Sequence, residues 1–168
     1  MLAQAAHSLE IAGADFLVLC TNTMHKVAAA IESSTSIPLL HIAIPTARQI
    51  VDAGHHTVGL LGTRFTMEQS FYREKLEQQG LDVIIPTAAE RDVVHSVIYE
   101  ELCLGQVLPA SKLAYQKIME NLVQRGAKAI ILGCTEISML IQPSDSSVPL
   151  YDTTAIHSLA AADKALAP

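Results

Sequence analysis

Charged side chains are scarce in this sequence, at 17% of its 168 residues against roughly 25% in an ordinary soluble domain. With hydrophobic residues at 50%, an unusually large share of the chain has to be buried, in helices over a buried sheet or in an oligomer. Basic clusters are missing as well. The 11 Lys and Arg are scattered singly beside 17 Asp and Glu, for a formal charge of −6, so no electrostatic footprint for nucleic acid exists. Cysteine is limited to Cys20, Cys103 and Cys134. An odd count without close paired spacing argues against a disulfide framework or a zinc site, and for reduced thiols in the cytoplasm. No stretch reaches the roughly 18 consecutive apolar residues of a membrane span, and the N-terminus lacks a basic start followed by an apolar signal core. No membrane partner is expected. Also absent are His-Glu-x-x-His, Cys-x-x-Cys and Gly-x-Gly-x-x-Gly, and with them any metal or dinucleotide fingerprint.

What is present is an alternation of short β-branched and aliphatic runs with longer stretches of helical period, which predicts an α/β fold around a parallel sheet. The predicted strands are Phe16 to Leu19, Pro38 to Ile42, Thr57 to Leu61, Asp82 to Ile85, Ala129 to Leu132 and Pro149 to Tyr151. Predicted helices include Thr66 to Gln79, Ala88 to Leu102 and Ser111 to Arg125, the first and third stopped by Gly80 and Gly126.

The chain also repeats itself. Gly13-Ala14 leads into Phe16-Leu17-Val18-Leu19 and Cys20-Thr21, and Gly126-Ala127 leads into Ala129-Ile130-Ile131-Leu132 and Gly133-Cys134-Thr135. A second echo follows each copy, Ile37-Pro38-Leu39-Leu40-His41 and Val148-Pro149-Leu150-Tyr151-Asp152. Two related parallel-sheet units are therefore expected, related by a pseudo-twofold, with residues 1–44 in the first and 45–149 in the second. The units are unequal. Val58 precedes Cys134 by 76 positions, whereas 19 residues precede Cys20, so the first unit is expected to lack its opening strand and about 57 residues. A shortened first unit would leave a sheet edge unpaired and apolar faces uncovered, and favours association and weak activity.

Each Cys-Thr pair is predicted where a strand gives way to a helix, the place where open α/β sheets bind ligands. Unpaired N–H groups and the helix dipole favour an anion there, a thiolate included. Two thiols on opposite sides of one carbon can act as base and acid in turn, which inverts a stereocentre with no metal or pyridoxal phosphate. Cys103, between Leu102 and Leu104, is expected in the core. Asn22, Thr23 and Thr135 fall in first helical turns, where they could hold an α-carboxylate or simply cap the helix. Thr63 and Thr66 flank a similar turn, with ligand contact weighed against capping, and Arg64 could pair with a carboxylate or sit exposed. Glu136 could exchange protons with Cys134 or serve as a first-turn acid. His25 reads as a structural hydrogen-bonding group before an acid/base, and His55-His56 as a solvated loop pair.

Val18-Leu19-Cys20-Thr21-Asn22-Thr23-Met24-His25 and Ile131-Leu132-Gly133-Cys134-Thr135-Glu136-Ile137 resemble the two signature segments of the aspartate/glutamate racemase family, and Gly59-Leu60-Leu61-Gly62-Thr63 resembles the strand opening its second domain. Gly62-Thr63-Arg64-Phe65-Thr66-Met67-Glu68-Gln69 is similar to its broad-specificity amino-acid racemase branch. The resemblance implies a cofactor-independent racemase of small amino acids, commonly a homodimer, whose two α/β domains face each other across the active site. It places the final segment, residues 150–168, back with the first domain. Cys134 and either Cys20 or Thr21 would be catalytic. Thr21 intervenes where the family reads Cys-Asn-Thr, and Ile98-Tyr99 is followed by Glu100 where aspartate-specific relatives carry Lys. Two other readings stay open: a cysteine-dependent decarboxylase or cis-trans isomerase, and a non-catalytic carboxylate-binding fragment.

Overall fold

A computed structural model of the chain describes residues 1–167. Helix α1 (Leu2–Ile11) precedes β1 (Leu17–Val18), and a 3-10 turn (Thr23–Val27) and α2 (Ala28–Glu32) lead to β2 (Leu39–Leu40). These two strands form a small parallel sheet with Leu17 opposite Leu39. Helix α3 (Ala43–Asp52) opens the larger part, which continues as β3 (Thr57–Gly62), α4 (Arg64–Glu68), α5 (Ser70–Glu77), β4 (Asp82–Ile84), α6 (Ala88–Ser96), α7 (Pro109–Gln124), β5 (Ala129–Gly133), α8 (Ile137–Leu140), β6 (Leu150–Asp152) and α9 (Thr153–Leu166). Its four strands run parallel in the order β4-β3-β5-β6.

The sequence pattern explains the layering. Strands β3 and β5 are buried almost from end to end, as central parallel strands covered on both faces must be. Their side chains alternate between two cores. Leu61, Ile130 and Leu132 pack with Ile98, Tyr115 and Leu122, while Val58, Leu60 and Ile131 pack with Ile50, Tyr72 and Leu76. Gly80 and Gly126 follow α5 and α7 at φ 87° and 107°, left-handed values that glycine adopts without a Cβ penalty.

Four expectations need correction. Strand β6 is hydrogen-bonded into the larger sheet, with Leu150 opposite Ile130 and Tyr151 opposite Ile131, so a boundary at 149/150 falls ahead of a strand that belongs with β5. The boundary at 44/45 falls inside α3, whose Ala43, Ala47 and Ile50 belong to the larger core. The helix expected over Thr66 to Gln79 starts earlier and breaks. Thr63 caps α4 through Thr66 N–H at 3.3 Å, and extended Gln69 (ψ 149°) separates it from α5. The helix expected to Leu102 leaves the α form at Val97, becoming a π turn to Glu101 and a 3-10 turn to Leu104. That change of winding carries Cys103 out of the core to an exposed position.

Where β3 and β5 end, Gly62 and Gly133 stand opposite one another. A Cβ on Gly62 would lie 2.8 Å from the Gly133 carbonyl oxygen, and one on Gly133 would lie 2.8 Å from that of Leu61. The backbones cannot yield without spreading the sheet at the very residues that precede Thr63 and Cys134. Gly62→Ala and Gly133→Ala are each expected to cost ~1–3 kcal/mol, read as a lower urea midpoint. Wild-type stability in both variants would show that the sheet end gives way freely.

Candidate active site

The C-terminal ends of β1, β3 and β5 carry Cys20-Thr21, Thr63 and Cys134-Thr135, and the fold brings these three segments to one crevice. Cys20, Thr21 and Thr135 line a cavity of about 170 Å³ together with Ile42, Thr154 and His157. In the turn that follows Cys20-Thr21, the Thr23 hydroxyl lies 3.0 Å from that of Thr63 and 3.5 Å from that of Thr66, with Thr63 and Thr66 3.2 Å apart. Thr63 thus caps α4, and its hydroxyl also meets Thr23 in the segment after Cys20-Thr21.

Cys134 is 7% exposed, and its thiol donates to Glu136 Oε2 at 2.9 Å. Burial and the neighbouring carboxylate push the thiol up to about 12. Burial alone would raise Glu136, but hydrogen bonds from Cys134 and Thr135 outweigh it and hold the carboxyl below its ordinary value. At neutral pH the pair is therefore a thiol facing a carboxylate, a proton donor with an acceptor already in contact. Cys20, by contrast, is exposed and Thr21 half-buried. The Cys20 thiol has a long contact, 3.9 Å, to Val18 O.

Two of the expected substrate-binding side chains are engaged elsewhere. Asn22 is buried, its amide donating to Thr153 Oγ1 at 3.1 Å and accepting from the Tyr72 hydroxyl at 2.9 Å. The Thr153 hydroxyl donates onward to Leu132 O at 2.9 Å. Through these bonds Asn22 ties the segment after β1 to α5, α9 and β5. The Arg64 guanidinium is paired with Asp92 on α6, because the opposite charge lies within reach on the surface.

Sequence reasoning missed three neighbours. His95 Nδ1 accepts from Arg64 N–H at 3.2 Å, which leaves the proton of the neutral ring on Nε2. Its ring lies 4.7 Å from that of Tyr99 and 6.4 Å, edge to face, from that of Phe65. Burial raises the Tyr99 phenol, and electrostatic coupling to Cys134, Cys103 and Glu136 raises it further, which marks it as a neighbour of the thiol–carboxylate pair. Lys26 Nζ sits 5.4 Å above the Phe65 ring. The signal available for Tyr99 was its place in the π turn, a winding frequent at functional sites, but such a turn has no sequence signature.

With this geometry in view, the comparisons are specific. The profile of the Asp/Glu/hydantoin racemase family matches residues 1–161. The chain belongs to that family. It is 27% identical over 150 residues to the broad-specificity amino-acid racemase RacX of Bacillus subtilis, an alignment covering 89% of this chain and 64% of RacX. A Yersinia pestis protein described as a candidate Asp/Glu racemase superposes with a TM-score of 0.94 at 54% identity, covering 98% of this chain and 72% of the other. PH1733 of Pyrococcus horikoshii, an aspartate racemase homologue, gives a TM-score of 0.87 at 33% identity, covering 97% and 72%. This chain thus spans just under two thirds of the length of RacX. No helix among the described residues is long and apolar enough to cross a membrane.

Proposed function

We propose that the chain carries the proton-transfer site of an amino-acid racemase. Cys134 serves one face of the substrate α-carbon and the Cys20-Thr21 slot the other. The observation that carries the reading is the thiol–carboxylate contact of Cys134 and Glu136, whose intervening residue, Thr135, lines a cavity with Cys20 and Thr21.

In one direction the Cys20-Thr21 slot, in its deprotonated form, removes the α-proton, and the electron pair left behind is delocalised into the substrate carboxylate. The Cys134 thiol then gives its proton to the opposite face, which inverts the centre. In the other direction Cys134 must first be deprotonated, and Glu136 is placed to receive that proton. Thr23, half-buried after the Cys20-Thr21 segment, offers its hydroxyl to the substrate carboxylate, with the buried Thr63 and Thr66 hydroxyls bonded behind it. Asn22 and Arg64 act at one remove, Asn22 by fixing the segment after β1 and Arg64 by bracing α4 against α6. The proposed substrate is a small amino acid, and the assembly a homodimer. All three cysteines are free, which supports a reducing, cytoplasmic setting.

Replacing Cys20 and Thr21 separately by alanine tests the first slot. The readout is solvent deuterium entering the unconverted L and D substrates. Racemisation rates alone cannot separate the two sides, because enantiomers are equally stable and kcat/KM is then the same in both directions. One of the two variants should lose exchange from a single enantiomer by roughly 10²-fold or more. Full exchange from both enantiomers in both variants would place the slot elsewhere.

A further inference from the structure

Three histidines, His25, His41 and His157, come together behind the first slot from distant points of the chain. All are buried, at 2–3% exposure, with the His25 ring centroid 4.3 Å from that of His41 and 6.1 Å from that of His157. Their hydrogen bonds are specific. His25 Nε2 accepts from Ile42 N–H at 3.2 Å, so the proton is on Nδ1, which donates to Thr21 O at 2.7 Å. His41 Nδ1 accepts from Ala43 N–H at 3.2 Å. His157 on α9 holds Leu40 O, at 2.8 Å, through Nε2.

Ile42 and Ala43 begin α3, and their N–H groups are among those that a helix leaves without an internal acceptor. Here neutral imidazoles accept them in place of a capping hydroxyl. An imidazolium would lose the acceptor nitrogen and set a positive charge against the positive end of the helix. Groups packed around the cluster add to this demand for neutrality: Lys75 on α5 opposes charge on His41, and the imidazoles oppose charge on one another.

We propose that His25 is a positioning residue. As a neutral Nδ1–H imidazole it clamps the Thr21 carbonyl to the N-terminus of α3, and so fixes the Cys20-Thr21 segment against the crevice, with His41 and His157 as its support. The inference rests on the functional reading above for its consequence in catalysis, and on the hydrogen bonds alone for the clamp.

Amide hydrogen exchange and α-deuterium exchange, measured on the whole chain and its His25→Ala and His25→Gln variants, test both. A glutamine amide carries one donor and one acceptor, as the imidazole does. In His25→Ala the Ile42 amide and the segment 19–25 should exchange roughly tenfold faster, the effect of one lost hydrogen bond, while β3 and β5 keep their protection. His25→Gln should restore most of the difference. In the catalytic arm His25→Ala should lower kcat with little change in KM, more strongly for exchange from the enantiomer served by the first slot, and His25→Gln should recover it. Unchanged amide exchange in His25→Ala, or loosening spread evenly over β3 and β5, would overturn the clamp. Equal loss from both enantiomers without rescue would reduce His25 to a structural part. A wild-type chain that exchanges no α-hydrogen would sink the functional reading, and the amide data would still decide the clamp.

Discussion

Replacing Cys134 by alanine should lower racemisation in both directions, and α-hydrogen exchange from the one enantiomer that Cys134 serves, by roughly 10²–10⁴-fold, the range for loss of a positioned acid or base. The effect is large because no neighbouring group substitutes for it. Glu136 accepts from the thiol and stands two residues away, so without Cys134 the carboxylate keeps its charge but has no proton relay to the α-carbon. Cys134→Ser should be nearly as inactive, since a hydroxyl gives up its proton far less readily than a thiol. Glu136→Gln keeps the size but removes the charge and the basicity needed to take a proton, and should slow the direction in which Cys134 must first be deprotonated. Deuterium exchange into the unconverted enantiomers, with thermal unfolding as the control for folding, separates these effects. Undiminished exchange in folded Cys134→Ala would remove the two-face mechanism.

Acid should unfold the chain early, from the histidine cluster rather than from the carboxylates. Burial, opposed by the bond to Thr21, lowers His25 to about 4. Burial, then the neighbouring charges of His25, Lys75 and His157, lowers His41 to about 3. His157 is lowered too, by burial. In the unfolded chain these imidazoles titrate near 6.5. Between that value and the folded ones the unfolded state binds more protons, so stability is intact above about pH 6.5 and falls as pH drops towards 4. Each imidazole contributes a slope of ~1.4 kcal/mol per pH unit in that window, and His25 and His41 together reach about twice that. Urea midpoints at pH 7.5, 6 and 5 should drop steeply at each step. A midpoint independent of pH over this range would show that the cluster is solvated or already charged.

How much of this could be read from the residues depends on the range of the interaction. Strands β3 and β5 are continuous apolar runs and were legible as buried parallel strands; the Gly-Cys-Thr-Glu segment placed Cys134 and Glu136 side by side because they are two positions apart. Thr63 and Thr66 were legible as a cap for the same reason. Asn22 was not, since its partners Tyr72 and Thr153 lie 50 and 131 residues away, and an Asn near a helix start reads alike whether it caps, binds or braces. The pairing of Arg64 with Asp92 is likewise nonlocal. The break at Gln69 and the π turn at Val97–Glu101 arise where tertiary packing overrides helical propensity. The pairing of β6 with β5 is not legible either, because a sequence echo reports repeated units and not which sheet a strand joins.

The most direct test of the central claim is to incubate single enantiomers of a panel of amino acids with the chain in heavy water, following chirality and deuterium at Cα together. The two-face mechanism predicts that, for at least one amino acid, the enantiomer formed carries deuterium at Cα from its first appearance, and that the mixture proceeds to equal amounts of L and D. Product formed with its original α-hydrogen retained would mean that one group carries the proton across, and exchange without any inversion would mean that only one face is served; either result would contradict the assignment of Cys134 and the Cys20-Thr21 slot to opposite sides of the substrate.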